Sequence, residues 1–425
     1  MKKFFKIAMM FVAACTLSTG LVACGDDDDD NTTDPNALNE TELSIQQVTK
    51  QYLENVVFTT YTNLANATDD LYEQLDDAKA KFRAGTLTQG DIDQICAKFL
   101  EARTYWEASE AFLYGPATTF GIDPHIDTWP LDLDALAVSL SNSAQVAMLD
   151  NGDDGIAYAG AKLGQELLGF HGIEFIIFRD GKNRTLASLK ANETDEAFEG
   201  KTVSGEQELV YAVAVAGDLR DKCFQLEVAW RGESAAKAHQ ERVEECEFET
   251  QVGDFYYGKN MLNAKKAGST YATWQAVLIA IFDSGCSNIC AEVANTKIGN
   301  AWSGEDVNYI ESPYSKKSFE DFYENISSIK NSLYGGINLS SANANSLLSL
   351  VQKKDTALAT KLNTRLDAAL KALDTCRKGT AFVDIINSGV KDANVQAGID
   401  AINDLDDALQ EGATWASKLT IKNTL

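Results

Sequence analysis

Leu167-Leu168-Gly169-Phe170-His171-Gly172-Ile173-Glu174-Phe175-Ile176-Ile177-Phe178 is apolar on nearly every side, the pattern of a helix inside a protein rather than on its surface. Yet it holds a histidine and a carboxylate three residues apart, a spacing that puts both side chains on one helix face, one turn apart. An unpaired carboxylate in such a place costs on the order of several kcal/mol. The segment therefore predicts a compensating partner: a metal, an arginine, a hydrogen-bond network or a shared proton.

The flanking sequence is helical in period. Residues 42–84 read as a long helix ended by Gly85, and residues 88–113 as a second stopped by Gly115-Pro116. Residues 120–130 are irregular, 133–148 form a shorter helix, and 152–178 read as one buried helix. A polar, glycine-bearing loop covers 179–205, and 206–247 is helical again. Beyond a break near 253–258, helices are expected over 259–296, 315–333, 342–378 and 394–419, with Tyr334-Gly335-Gly336 as a C-cap and Ser318 to Asp321 as a capping box. No run alternates long enough for a sheet. Only five prolines in 425 residues suit long helices. The fold class expected is all-α, two helical-bundle domains packed side by side, spanning 41–252 and 253–425.

The N-terminus reads as targeting rather than fold. Lys2, Lys3 and Lys6 precede a short apolar core, Ile7 to Leu17, too short to span a membrane comfortably. Leu21-Val22-Ala23-Cys24 then resembles a bacterial lipobox, which makes residues 1–23 a lipoprotein signal peptide and Cys24 the lipidated first residue of the mature chain. Residues 24–40, with Asp26 to Asp30, form a solvated acidic tether. Its placement resembles the acidic export signal of surface lipoproteins in the Bacteroidetes. The expected location is the cell envelope, as an outer-membrane lipoprotein facing the periplasm or the exterior, with the membrane met through the lipid anchor.

The formal net charge is −26, and loss of the three leader lysines makes it more negative. That balance argues against a nucleic-acid ligand or anionic headgroups and favours cations. Cys96, Cys223, Cys246, Cys286, Cys290 and Cys376 are scattered through apolar helical patterns, so buried free thiols are expected although the compartment permits disulfides.

Ionisable residues also stand where a bundle wants leucine. Phe99, Arg103, Trp106, Glu110 and Leu113 make one core-facing stripe; Leu163, Leu167, Phe170, Glu174 and Ile177 make another, with His171 beside it. Buried charges come in partnered groups, so Arg103, Glu110, His171 and Glu174 are expected to share one polar cluster, either fixing helix register or binding a cation. One imidazole and one carboxylate are only a fraction of a zinc site. A third ligand is needed, and Glu110, Asp127 or His125 could supply it. Oxygen-rich donors with one imidazole suit iron or another divalent cation as well as zinc. His239, in a polar run, reads as a solvated surface residue.

At this point Gly169-Phe170-His171-Gly172-Ile173-Glu174 resembles the GxHxxE motif of the imelysin-like proteins, the M75 peptidase family. Ala108 to Pro116, Ile126-Asp127-Thr128-Trp129-Pro130-Leu131-Asp132, and Glu311-Ser312-Pro313-Tyr314-Ser315 with Ser318 and Asp321 resemble its other blocks in family order. The resemblance implies two helical bundle-like domains with the motif near their junction, and a periplasmic or surface lipoprotein often linked to iron uptake. The family takes its name from a reported peptidase activity. Carried onto this chain, the candidate ligands are His171, Glu174, Glu110 and Asp127, supported by Arg103, Gly169, Trp129, Ser315 and Asp321. Trp129 is a pocket wall or plain core, and Ser315 and Asp321 have helix capping as their alternative role. Three functions remain open: an exported protein binding a metal ion or metal-bearing ligand, with an iron-uptake partner protein; a metallopeptidase; and a non-metal interaction module.

Overall fold

The computed structural model describes residues 38–420; the leader and residues 24–37 of the acidic tether, Cys24 among them, lie outside them, and the tether's last two residues, Asn39 and Glu40, already cap and open the first helix. Helix starts follow local chemistry. Asn39 accepts a hydrogen bond from the Glu42 amide at 3.0 Å while Glu42 receives the Asn39 amide at 3.1 Å, so two orphan donors of the Glu40–Tyr52 helix are satisfied reciprocally. Thr88 with Asp91 and Ser204 with Gln207 repeat the device at the Gln89–Glu107 and Gly205–Arg231 helices. Gly85 and Gly335 close their helices with left-handed φ of 71° and 72°, a conformation glycine takes without a Cβ penalty.

The fold is all-α, relieved among the described residues only by a two-residue hairpin, Phe178–Arg179 with Lys182–Asn183. In the N-terminal half, Gly205–Arg231 is the central helix. It packs on Phe58–Ala84, Gly152–Lys162 and Gly169–Ile177, while Phe58–Ala84 also packs on Gln89–Glu107. In the C-terminal half, Thr356–Arg377 packs on Ala393–Ser417 and on Ser318–Tyr334. The Ser318–Tyr334 helix in turn touches Gln89–Glu107, and Glu40–Tyr52 touches Trp274–Ile279. Residues from Asn39 onward cluster as one compact unit.

Two expected long helices are interrupted. The run 152–178 breaks after Gly152–Lys162 at extended Leu163 and Gly164, passes through a 3-10 turn and restarts at Gly169. Apolar period alone does not register such a break, because buried residues continue across it. Residues 42–84 stay helical but widen into a π segment at Leu53–Val57.

The six cysteines among the described residues are all free, and of these only Cys246 is not fully buried. Burial pushes Cys246 up to about 11 and Cys96 and Cys286 up to about 12, so none is a ready nucleophile. A chain beginning at Thr32, isolated without reductant, is expected to titrate all six thiols in guanidinium and at most Cys246 while native. A count below six in guanidinium would reveal a disulfide.

Candidate metal centre

The Gly169–Ile177 helix opens on Gly169, whose φ is 69° and whose absent Cβ would lie 1.8 Å from the Ile126 carbonyl oxygen. The glycine thus lets the helix start press directly on the backbone just before Asp127. Gly172 makes similar room within the next turn, where Tyr211 donates to the Leu167 carbonyl at 2.7 Å through space a Cβ would fill. Together these contacts place His171 and Glu174 at the centre of a buried polar cluster.

Asp127 and Glu174 flank His171: Nε2 lies 3.2 Å from Asp127 Oδ1, and Nδ1 lies 3.3 Å from Glu174 Oε2. Glu174 Oε1 accepts from both the amide and the hydroxyl of Ser315 at 2.7 Å. The loop that delivers Ser315 turns at Ser312 and Lys316, whose φ of 49° and 60° are left-handed without glycine, a local strain of the kind found at functional sites. Asp127 also bonds Arg103 and accepts from Trp106 Nε1 at 2.7 Å.

Arg103 reaches further. Its guanidinium contacts Glu107, meets Glu311 at 2.6 Å and lies 3.5 Å from Asp321. Lys297 has its ammonium 3.1 Å from Glu311, 3.4 Å from Glu110 and 3.7 Å from Glu107, and stands 5.0 Å above the Trp129 ring. Asn325 donates to Glu107 at 2.5 Å, and Ser312 to Asp321 at 2.5 Å.

The structure therefore brings Arg103, Asp127, His171, Glu174, Ser315 and Asp321 into one network, with Glu110 joined through Lys297. Two expectations about roles change. Asp321 is no helix cap: the Ser318–Tyr334 helix has no side-chain cap, because Asp321 turns inward to Ser312 and Arg103. Ser315 is no cap either, being spent on Glu174. His239 is not solvated. It is buried, 2.5 Å from Glu227 and stacked on Phe224 at 3.9 Å, because the Lys237–Glu245 helix lays one side of its polar run on Gly205–Arg231. His125 lies apart, bonded to Asp218 at 2.7 Å.

Three residues of the cluster were not singled out from the sequence: Glu107, Lys297 and Glu311. Glu107 carried a signal, standing four residues after Arg103 where a helical ion pair forms. Glu311 lay within a recognised block. Lys297 sits at the end of an apolar helical run that gives no hint of its partners.

Glu107, Glu110, Asp127, Glu174, Glu311 and Asp321 are all buried, against Arg103, Lys297 and His171. Six carboxylates thus face three groups able to carry positive charge. Burial pushes the carboxyls of Glu110, Glu311 and Asp321 upward. Burial also pushes Asp127 upward, but Arg103, His171 and Lys297 outweigh it and hold that carboxyl below its ordinary range.

Candidate ligand atoms of Asp127, His171 and Glu311 lie within 4.8 Å of one another, as do those of Glu107, Glu311 and Asp321 and those of Glu107, Glu110 and Asp127. Glu311 Oε2 is buried without a hydrogen-bond partner, and His171 Nε2 has only the Asp127 carboxylate at 3.2 Å, out of line for a good hydrogen bond. A donor set of carboxylates and one imidazole, in acid excess and with an orphaned oxygen, fits a hard or borderline cation.

The sequence profile of the imelysin (peptidase M75) family matches residues 57–411. The chain belongs to the imelysin family. It is 25% identical over 338 residues to iron-regulated protein A of Synechococcus elongatus, covering 79% of this chain and 78% of that protein. The crystal structure of an iron-regulated protein A precursor from Parabacteroides distasonis superposes with a TM-score of 0.70 at 22% identity, covering 89% of this chain and 96% of the other. An imelysin-like protein from Psychrobacter arcticum gives 0.57 at 12% identity, covering 91% and 99%. Both structures share the fold of this imelysin-family chain.

Proposed function

We propose that this protein is an exported lipoprotein that binds a metal ion, iron or another divalent cation, at the buried cluster, and serves iron acquisition together with a partner protein of the envelope. The observation that carries the reading is the acid excess of the cluster combined with the orphaned Glu311 Oε2 and the placement of His171 Nε2 against the Asp127 carboxylate. The names of the relatives, iron-regulated protein A, agree with it.

His171, Asp127 and Glu311 are the residues proposed to hold the ion, which would supply the positive charge the carboxylates lack. Glu174 takes a different role. A histidine ligand keeps its second ring nitrogen on a carboxylate, which fixes tautomer and ring orientation. Glu174 stands in that position at Nδ1, and Ser315 holds Glu174 in place. The GxHxxE spacing thus supplies a ligand and the group that aims it. A peptide substrate is poorly served by this geometry, since His171 and Glu174 are 2% and 0% exposed.

Metal content by mass spectrometry tests the reading, on protein from Thr32 onward after exposure to Fe, Zn and Mn. Near-stoichiometric metal is expected in the wild type and its loss in His171→Ala/Glu174→Ala. Equal traces in both proteins would leave the cluster as a polar lock between helices. Burial lowers the proton affinity of His171, but Asp127 and Glu174 outweigh it and raise the imidazole to about 9. Metal uptake is therefore expected to release protons and to weaken as the pH falls.

A further inference from the structure

The two buried cations of the cluster are held in different ways. Arg103 spreads its guanidinium over Asp127, Glu107, Glu311 and Asp321, and its forked donors fix it there. Lys297 offers one compact charge to Glu107, Glu110 and Glu311 at 3.7, 3.4 and 3.1 Å. An ammonium is a point charge on a flexible four-carbon stem and has no preferred plane. Glu107, Glu110 and Glu311 each also belong to a triad whose candidate ligand atoms lie within 4.8 Å of one another, so the lysine and an entering hard cation compete for the same oxygens.

Two further observations mark this seat. Glu311, 0% exposed, meets the ammonium through Oε1 and leaves its other oxygen, Oε2, without a partner. Lys297 itself ends a π-helical segment, Val293–Lys297, and such local widenings of a helix are frequent at functional sites. Trp129 and Tyr309, ring centroids 5.3 Å apart and both partly exposed, form the less buried side of the seat.

We propose that Lys297 is a tethered counter-ion seated among Glu107, Glu110 and Glu311, and that it is displaced when a hard divalent cation binds the Glu311 it shares with His171 and Asp127. The inference rests on the metal-binding reading above and adds to it a built-in competitor. The lysine keeps the carboxylates neutralised in the metal-free protein and weakens the hold on metal, which makes capture reversible.

The test is titration with Mn²⁺ of protein from Thr32 onward, which retains the compact unit beginning at Asn39. Wild type, Lys297→Met and Lys297→Arg are compared by competition with a fluorescent chelator, with far-UV circular dichroism as the fold control. Lys297→Met is expected to bind Mn²⁺ at least tenfold more tightly than the wild type, and Lys297→Arg no more tightly. A folded Lys297→Met of unchanged or weaker affinity beside a wild type that binds would overturn the counter-ion and leave the metal reading intact. Binding by Lys297→Met alone would show a lysine that blocks the seat and is never displaced, which overturns the exchange and the wild type as a metal carrier. Binding by no protein would overturn both.

A second readout needs no variant. Lys297 is 1% exposed, so acetic anhydride should hardly label it in metal-free protein. Labelling is expected to rise several-fold at saturating Mn²⁺, as the ammonium moves to the Trp129 and Tyr309 side. Unchanged labelling at saturation counts against displacement, whatever the folding behaviour of the variants.

Discussion

Replacing Arg103 by methionine is expected to lower the unfolding free energy by about 3–5 kcal/mol, the usual cost of removing one partner from a buried charge pair. The side chain is 2% exposed and is the shared partner of Asp127, Glu107, Glu311 and Asp321. Methionine fills much of the same volume and keeps contact with Phe170, over which the guanidinium lies at 5.2 Å. The loss therefore reports charge rather than a cavity. Arg103→Lys retains the charge but not the fork, so that variant is expected to recover some of the stability.

The pH dependence has a definite sign. Burial pushes Asp127 up, and the Arg103 guanidinium, with His171 and Lys297, carries its folded pKa below the ordinary 3.8. A depressed carboxyl contributes stability above its unfolded pKa and loses that contribution as the pH falls through the folded value. The gap between wild type and Arg103→Met should then be full at pH 7 and narrow below about pH 4. Urea titrations with matched slopes measure it. A gap under about 1 kcal/mol at pH 7, in the range of exposed pairs, would mean that the cluster is hydrated and that its charges are not mutually dependent.

The helical class could be read from period and composition because apolar spacing survives every local irregularity. The irregularities themselves could not. Leu163 and Gly164 leave the helix while burial continues on both sides, and an apolar residue looks the same in either conformation. The polar cluster was legible as a misfit: His171, Glu174 and Arg103 occupy core positions that charge normally avoids. Its closing partners were less so. Lys297 and Glu311 come from the other half of the chain, 187 and 208 residues beyond their partners Glu110 and Arg103, and no helical period relates them. His239 shows the opposite error. A polar run suggests water, yet one face of a nine-residue helix is enough to bury an imidazole that finds a carboxylate and a ring.

Gly169→Ala is expected to cost about 3 kcal/mol or more and to abolish metal retention, although position 169 contributes no ligand. Two penalties add. At a φ of 69° an alanine pays on the order of 1–2 kcal/mol for the left-handed backbone. Its Cβ would also sit 1.8 Å from the Ile126 oxygen and 2.2 Å from the Ile126 carbonyl carbon, and forcing atoms into a packed interior costs about 1–3 kcal/mol. Neither contact can be relieved by turning a side chain, because both atoms are backbone. The Ile126 peptide must move, and Asp127 moves with it, away from Arg103, Trp106 and His171. Gly121→Ala separates the two penalties: φ is 62° there, but nothing lies within 4 Å of the new Cβ, so about 1–2 kcal/mol is expected. Gly172→Ala tests specificity, since its Cβ would meet the Tyr211 hydroxyl at 2.2 Å. That atom ends a side chain and can withdraw, losing its bond to Leu167 and about 1 kcal/mol or slightly more. Thermal and urea unfolding of the three variants, with metal content beside them, should rank Gly169→Ala last in both. Equal costs for Gly169→Ala and Gly121→Ala, with metal retained, would show that the helix start does not position Asp127, and that the glycine of the motif answers to backbone conformation alone.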